Sequence, residues 1–239
     1  MGDHVRKRMI VLLPLLFCVT GVSAAHGRDI LVFFDSSGST RREVLMDYYK
    51  QYREVVGAMR EGDTIACGLI NANTRGTFAP FGSFSIRQKG TLESPSAYKE
   101  EVDRKRNGGL LVVKRVLSET IPSGNTDILS ALGQAQTHFS RGTPGVGKNI
   151  LVIFSDMVEE TATLNLTKLL PKTVDNHYAK VKGMLPKLSN VKVLAAGVHG
   201  VSPKTYEALE TFWRKVFAEC SAECAFFGAR LYDFGKWVN

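Results

Sequence analysis

Continuous apolar runs of six or seven residues alternate along the chain with stretches in which apolar residues return every three or four positions. The runs are DILVFF at 29–34, TIACGLI at 64–70, NILVIF at 149–154 and VKVLAAG at 191–197. Uninterrupted runs of this length, rich in Val and Ile, predict strands buried on both faces. Segment 83–87 predicts an edge strand and 225–234 a last strand. Helical spacing is clearest over 40–60, where Val44, Leu45, Tyr48, Tyr52, Val55, Val56 and Met59 share a face and Gly62-Asp63 ends the pattern. Further helices are predicted over 97–119, weakened by Gly108-Gly109, and over 127–139. Two more are predicted over 172–188 and over 203–218, the latter with Tyr206, Leu209, Trp213, Val216 and Phe217 inward. Buried strands separated by amphipathic helices make an α/β domain with a mostly parallel sheet.

The first 25 residues stand apart from this pattern. Arg6, Lys7 and Arg8 precede the apolar stretch MIVLLPLLFC, and small residues follow at Val22-Ser23-Ala24-Ala25. This is the layout of a secretory signal peptide, short for a spanning helix and interrupted by Pro14, with an uncleaved N-terminal anchor as the alternative. The expectation is therefore a signal peptide over 1–25 and one domain over 26–239, exported to a periplasmic or extracellular location. A chain of 239 residues with 44% hydrophobic and 23% charged residues is an ordinary globular one, which excludes a disordered chain and a multi-span membrane protein. The net charge of +8 permits an acidic or anionic partner without requiring one. Cleavage leaves Cys67, Cys220 and Cys224. Cys67 lies in an apolar run and reads as core. Cys220 and Cys224 can bridge in an oxidising compartment if the chain leaves helical geometry between them.

Polar residues with chemical capacity follow the buried runs. Asp35-Ser36-Ser37-Gly38-Ser39-Thr40 comes after the first, Ser155-Asp156 after NILVIF, and Ser123-Gly124-Asn125-Thr126 before the helix at 127. In open α/β sheets such loops gather outside the carboxyl ends of the strands, where ligands bind. Two acids and several hydroxyls, with no His or Cys, suit a hard divalent cation rather than zinc. An ion neutralised only in part would attract an acidic group from outside. Taken singly, Asp35 and the serines also suit helix-capping and turn roles.

Asp35-x-Ser37-x-Ser39 directly after a hydrophobic strand resembles the first motif of the von Willebrand factor A domain, and the resemblance extends over about 28–235. Thr126 in SGNTDILSAL matches the threonine of that family's metal ion-dependent adhesion site, and Asp156 in LVIFSDMVEE its later aspartate. The resemblance implies a doubly wound, Rossmann-like sheet flanked by helices. It implies a metal site of Asp35, Ser37, Ser39, Thr126 and Asp156 holding Mg²⁺ or Mn²⁺. Ser37 and Ser39 would ligate through their hydroxyls and Thr126 directly or through water. Asp35 and Asp156 would hold coordinating waters and the ligand hydroxyls. The partner expected is a protein presenting an acidic residue, in adhesion or complex assembly, with no nucleic acid and at most peripheral membrane contact. One departure is Met157, where the family usually has Gly. Glu159 and Glu160 either line the rim or are simply exposed.

A catalytic nucleophile and base are not evident, so an enzyme is not expected. The alternative is a metal-dependent phosphoester hydrolase using Asp35, but Ser37 stands where such enzymes usually place a second carboxylate. Residues 142–148 resemble a phosphate-binding P-loop, yet they follow a helix and enter a strand, the reverse of that motif's order. His199 follows a strand and could approach the ligand face. Asn165-Leu166-Thr167 fits a glycosylation sequon. The lysines between 168 and 192 lack interleaved aromatics and read as a solvated surface.

Overall fold

The computed structural model describes residues 27–238 apart from 73, 75, 77, 78, 123 and 142–147. The segment 1–25 expected to be a signal peptide lies outside the described residues, and the P-loop-like stretch almost wholly so. Six strands form one sheet: β1 (Asp29–Asp35), β2 (Thr64–Ile70), β3 (Phe81–Ser85), β4 (Asn149–Phe154), β5 (Val191–Ala196) and β6 (Glu223–Gly228). Their order across the sheet is β3-β2-β1-β4-β5-β6, parallel except for the antiparallel edge strand β3. The helices are α1 (Arg42–Gly57), α2 (Pro95–Glu119), α3 (Ile128–Ser140), α4 (Val174–Val181), α5 (Pro203–Glu219) and α6 (Phe234–Val238).

Alternate residues of the strands feed two separate cores. Leu31, Phe33, Leu151 and Ile153 pack with residues of α3, α4 and α5. Ile30, Val32, Phe34 and Phe154 pack with residues of α1, α2 and α6. Helices on both faces explain why β1, β4 and β5 read as unbroken apolar runs. The chain runs from β1 outward to β2 and β3, then returns to place β4 on the other side of β1. The sheet is therefore doubly wound, and its direction reverses between β1 and β4, where a crevice forms in such folds.

Three elements depart from the sequence pattern. Helix α2 runs without a break through Gly108 and Gly109. The second glycine admits β3: a Cβ there would lie 2.3 Å from Phe84 Cε1. The helix expected over 172–188 is only α4, flanked by 3₁₀ turns at Pro171–Thr173 and Lys182–Met184. Pro186 disfavours helical geometry at the residue before it, and Leu185 is extended, with φ −71° and ψ 135°. The last strand ends at Gly228 instead of 234, and the chain then turns into α6. Phe234 is buried there with the Arg28 guanidinium 5.8 Å above its ring. Arg28 also pairs with buried Asp63, its Nε donating at 3.0 Å.

The bridge open to Cys220 and Cys224 is not formed. Cys220 caps the end of α5 in the core and Cys224 sits on β6, so Cys67, Cys220 and Cys224 are all free thiols. No helix among the described residues is long and apolar enough to cross a membrane.

Candidate metal centre

Asp35 ends β1 and is fully buried. Its Oδ1 accepts from the Ser37 backbone N–H at 2.9 Å and its Oδ2 from the Ser155 hydroxyl at 2.6 Å. Ser155 Oγ in turn accepts from the Met157 N–H at 2.9 Å. One carboxylate thus ties the loop after β1 to the loop after β4, across the crevice. Ser36 anchors the first loop sideways, its N–H and hydroxyl both donating to the Ile70 carbonyl at 2.8 and 3.2 Å. Ser37 is buried and Ser39 exposed, with their hydroxyl oxygens 3.2 Å apart.

The third loop joins through its backbone. Gly38 N–H donates to the Gly124 carbonyl, and Glu160 N–H to the Thr126 carbonyl, each at 2.9 Å. Gly124 has φ 69°, and a Cβ there would lie 2.6 Å from Ala72 Cβ. Only glycine fits that approach. Thr126 is buried, and Asp156 is half-buried with Oδ1 accepting from Val158 N–H at 2.9 Å. The loops bearing Asp35, Ser37, Ser39, Thr126 and Asp156 therefore meet at the reversal point of the sheet. Cys220 and Cys224 lie elsewhere, at the α5–β6 connection.

Met157 makes a left-handed turn at the position where the resembled family usually has Gly. Its φ is 64°, in the left-handed region, and its side chain is buried. The Trp213 indole N–H donates to its carbonyl at 2.8 Å, fixing the loop against α5. Glu159 departs from expectation, being fully buried rather than at the rim. Burial and the charge of Asp127 push its carboxyl up to about 8. Neither the burial nor the shift was legible in MVEE, where an acidic pair reads as solvated surface.

The site is short of positive charge. Burial raises the Asp35 carboxyl above the usual range, against the hydrogen bonds from Ser155 and Ser37. Burial, then the charges of Asp35 and Glu160, push Asp156 up to about 6, and His199 pulls it down. His199 thus lies within electrostatic reach of the site. Tyr48 stacks on Phe154 beneath these loops with ring centroids 5.7 Å apart, and burial with the charges of Asp35 and Asp156 raises its phenol.

These residues fit a hard divalent cation. Hydroxyl and carboxylate oxygens are the donors Mg²⁺ and Mn²⁺ prefer. Octahedral ligands about 2.0–2.1 Å from Mg²⁺ lie about 3 Å from their nearest neighbours, and the two serine oxygens are 3.2 Å apart. A cation would also relieve the mutual repulsion of Asp35 and Asp156. Among the described residues no cluster of three or more His, Cys, Asp or Glu offers another metal site.

No protein-family model matches the chain, and no curated protein matches it. Solved structures do. The manganese-loaded TRAP protein of Plasmodium vivax superposes with a TM-score of 0.52 at 14% identity, covering 90% of this chain and 73% of that one. A von Willebrand factor type A protein from Catenulispora acidiphila gives 0.42 at 13% identity, covering 89% of this chain and 40% of that one. The SpRpn10 VWA domain gives 0.42 at 12% identity, covering 89% and 94%. The likeness to the first is one of fold alone. With six strands in doubly wound order and helices on both faces, the described residues have a von Willebrand factor A-like fold.

Proposed function

We propose that this chain is an exported, divalent-metal-dependent protein-binding module of the adhesion or complex-assembly kind. The observation that supports the reading is that the loops bearing these two acids and three hydroxyls meet at the β1–β4 reversal, with Asp35 buried and in no salt bridge among the described residues. Ser37, Ser39 and Thr126 would hold Mg²⁺ or Mn²⁺ through their hydroxyls. Asp35 and Asp156 would orient those hydroxyls and the metal's waters. A hard cation held by these residues would supply a Lewis-acid site for a carboxylate of a protein partner. Ser39 is exposed, so that site would face solvent. A structure of similar fold was solved with manganese bound, which supports the metal without naming a partner.

The chain's own part is to pre-organise the loops. The Ser155–Asp35–Ser37 relay and the two loop-to-loop backbone bonds fix the hydroxyls before the ion arrives, so little ordering remains to be done on binding. Calorimetric titration of Mg²⁺ and Mn²⁺ into the protein tests this, beside Asp35→Ala and Ser37→Ala. We expect saturable binding to the parent and none to either variant. Unchanged binding in a folded Asp35→Ala protein would overturn the assignment. Partner capture that is lost with chelator and restored by Mg²⁺ is the expected second result.

A further inference from the structure

The surface built around α4 carries charge of one sign. Between residues 161 and 190 the chain has five lysines, Lys168, Lys172, Lys180, Lys182 and Lys187, no arginine, and one acid, Asp175. All five lysines are exposed. Asp175 is taken up by Lys215 of α5. Glu219 of α5 pairs with Lys182 at 3.8 Å and accepts from the Tyr178 hydroxyl at 2.7 Å. Lys168, Lys172 and Lys180 have no ion-pair partner among the described residues. Charges near the start of α2 are arranged otherwise: Glu93 and Glu101 both grip Arg87, and Glu101 also holds Lys105 at 3.4 Å.

Two apolar side chains stand among these lysines. Leu170 is 43% exposed and Met184 60%. Each belongs to a 3₁₀ turn flanking α4. Leu170 caps the turn at Pro171–Thr173, between Lys168 and Lys172 in the chain, and Met184 ends the turn at Lys182–Met184, between Lys182 and Lys187. Val174 and Val181 fasten α4 to the core from the inner side. Solvation alone asks neither for a single sign of charge nor for leucine and methionine in water. A carboxylate on a protein partner is best gripped by the planar fork of Arg, whereas Lys acts as a point charge. Protein interfaces accordingly favour Arg and aromatic residues and are depleted in Lys. Lysines surrounding exposed apolar side chains suit an anionic lipid surface instead, with ammonium groups among the headgroups and apolar groups at the acyl boundary.

We propose that the α4 face docks the domain on a membrane surface carrying anionic phospholipids. Lys168, Lys172 and Lys180 supply the attraction, and Leu170 and Met184 enter the headgroup layer. The contact uses none of the residues of the proposed metal centre and does not depend on that reading.

The test is co-sedimentation of the protein with phosphatidylcholine vesicles, with and without phosphatidylglycerol, in chelator. Binding is expected only when phosphatidylglycerol is present, and it should weaken as added salt shortens the screening length. Each lysine near an anionic surface strengthens binding roughly fivefold, so reversing Lys168, Lys172 and Lys180 together to Glu should weaken it at least about a hundredfold. The control reverses Lys50, Lys99 and Lys114, which are exposed on α1 and α2 across the sheet. It changes net charge by the same amount and should keep most of the binding. Leu170→Ser with Met184→Ser should weaken binding several-fold at unchanged charge. No binding to either vesicle, equal binding to both, or equal loss in the two triple variants would overturn the docking face. Unchanged binding in the serine double variant would overturn the part given to Leu170 and Met184. Capture of poly-L-glutamate by the same three lysines, without vesicle binding, would overturn it in favour of an acidic protein. Vesicle binding by a protein that fails to bind Mg²⁺ would support the docking face and sink the metal reading alone.

Discussion

Two residues of the loop after β4, Met157 and Glu159, bear a conformational and an electrostatic cost near the proposed metal site. Met157 adopts a left-handed backbone, which costs a residue with a Cβ roughly 1–2 kcal/mol. Its side chain is buried and its carbonyl is held by Trp213, and burying a methionine outweighs that cost. A residue other than glycine can therefore make this turn here. Glu159 carries the electrostatic cost. Its carboxyl stands at about 8 in the folded protein, raised by burial and then by Asp127, against an ordinary value of 4.5. The folded state thus keeps a proton that the unfolded chain loses as pH rises from about 4.5 to about 8. The contribution to stability is full below that window and is lost across it, by a few kcal/mol at about 1.4 kcal/mol per unit. Urea unfolding in chelator should show the advantage of the parent over Glu159→Gln shrinking from pH 4.5 to 8. A difference constant in pH would mean that Glu159 is ionised throughout.

At the scale of elements, the long helix α2 gives a paired expectation from adjacent glycines. A Cβ at Gly108 meets nothing within 4 Å, whereas one at Gly109 collides with the Phe84 ring. Gly108→Ala should stabilise by about 0.5–1 kcal/mol through helix propensity. Gly109→Ala should destabilise by about 1–3 kcal/mol as β3 is pushed away. Thermal unfolding separates them, since 1 kcal/mol moves the midpoint about 2–4 °C in a domain of this size. Similar midpoints for the two variants would show that the edge strand is free to shift. The same contact explains what the sequence pattern could and could not carry. Strands β2 and β4 match their apolar runs, because burial on both faces leaves an unbroken signal. The glycine pair weakened the helical pattern locally, and only the Phe84 contact shows why a glycine is wanted there. The 172–188 helix was overextended because Val174, Val181 and Leu188 keep helical spacing across Pro186, whose steric effect ended the helix. The last strand was overextended because Phe234 reads equally well as strand or helix until its position under Arg28 is known.

For the whole molecule, the order of strands decides where chemistry can gather. Chain order alone separates Asp35 from Asp156, but winding outward from β1 and back to β4 makes their loops neighbours, bridged by Ser155. That juxtaposition follows from the alternation of buried runs and helices, which is why the candidate residues could be named from the chain. The burial of Glu159 follows from how α3 packs against one loop, which no periodicity encodes. Bringing two acids together without a cation leaves the metal-free fold below its attainable stability, since burial and mutual repulsion raise both carboxyls. A cation bound only by the folded state should recover that loss. At 100-fold excess over its Kd it contributes roughly 2.7 kcal/mol, or about 5–10 °C in the unfolding midpoint. Asp35→Asn should leave the midpoint in chelator unchanged or higher, because a buried charge is removed while an acceptor oxygen remains for the Ser37 N–H. It should also abolish the rise with Mg²⁺. A rise of equal size in Asp35→Asn would place the cation elsewhere on the molecule and detach the buried acid pair from metal binding.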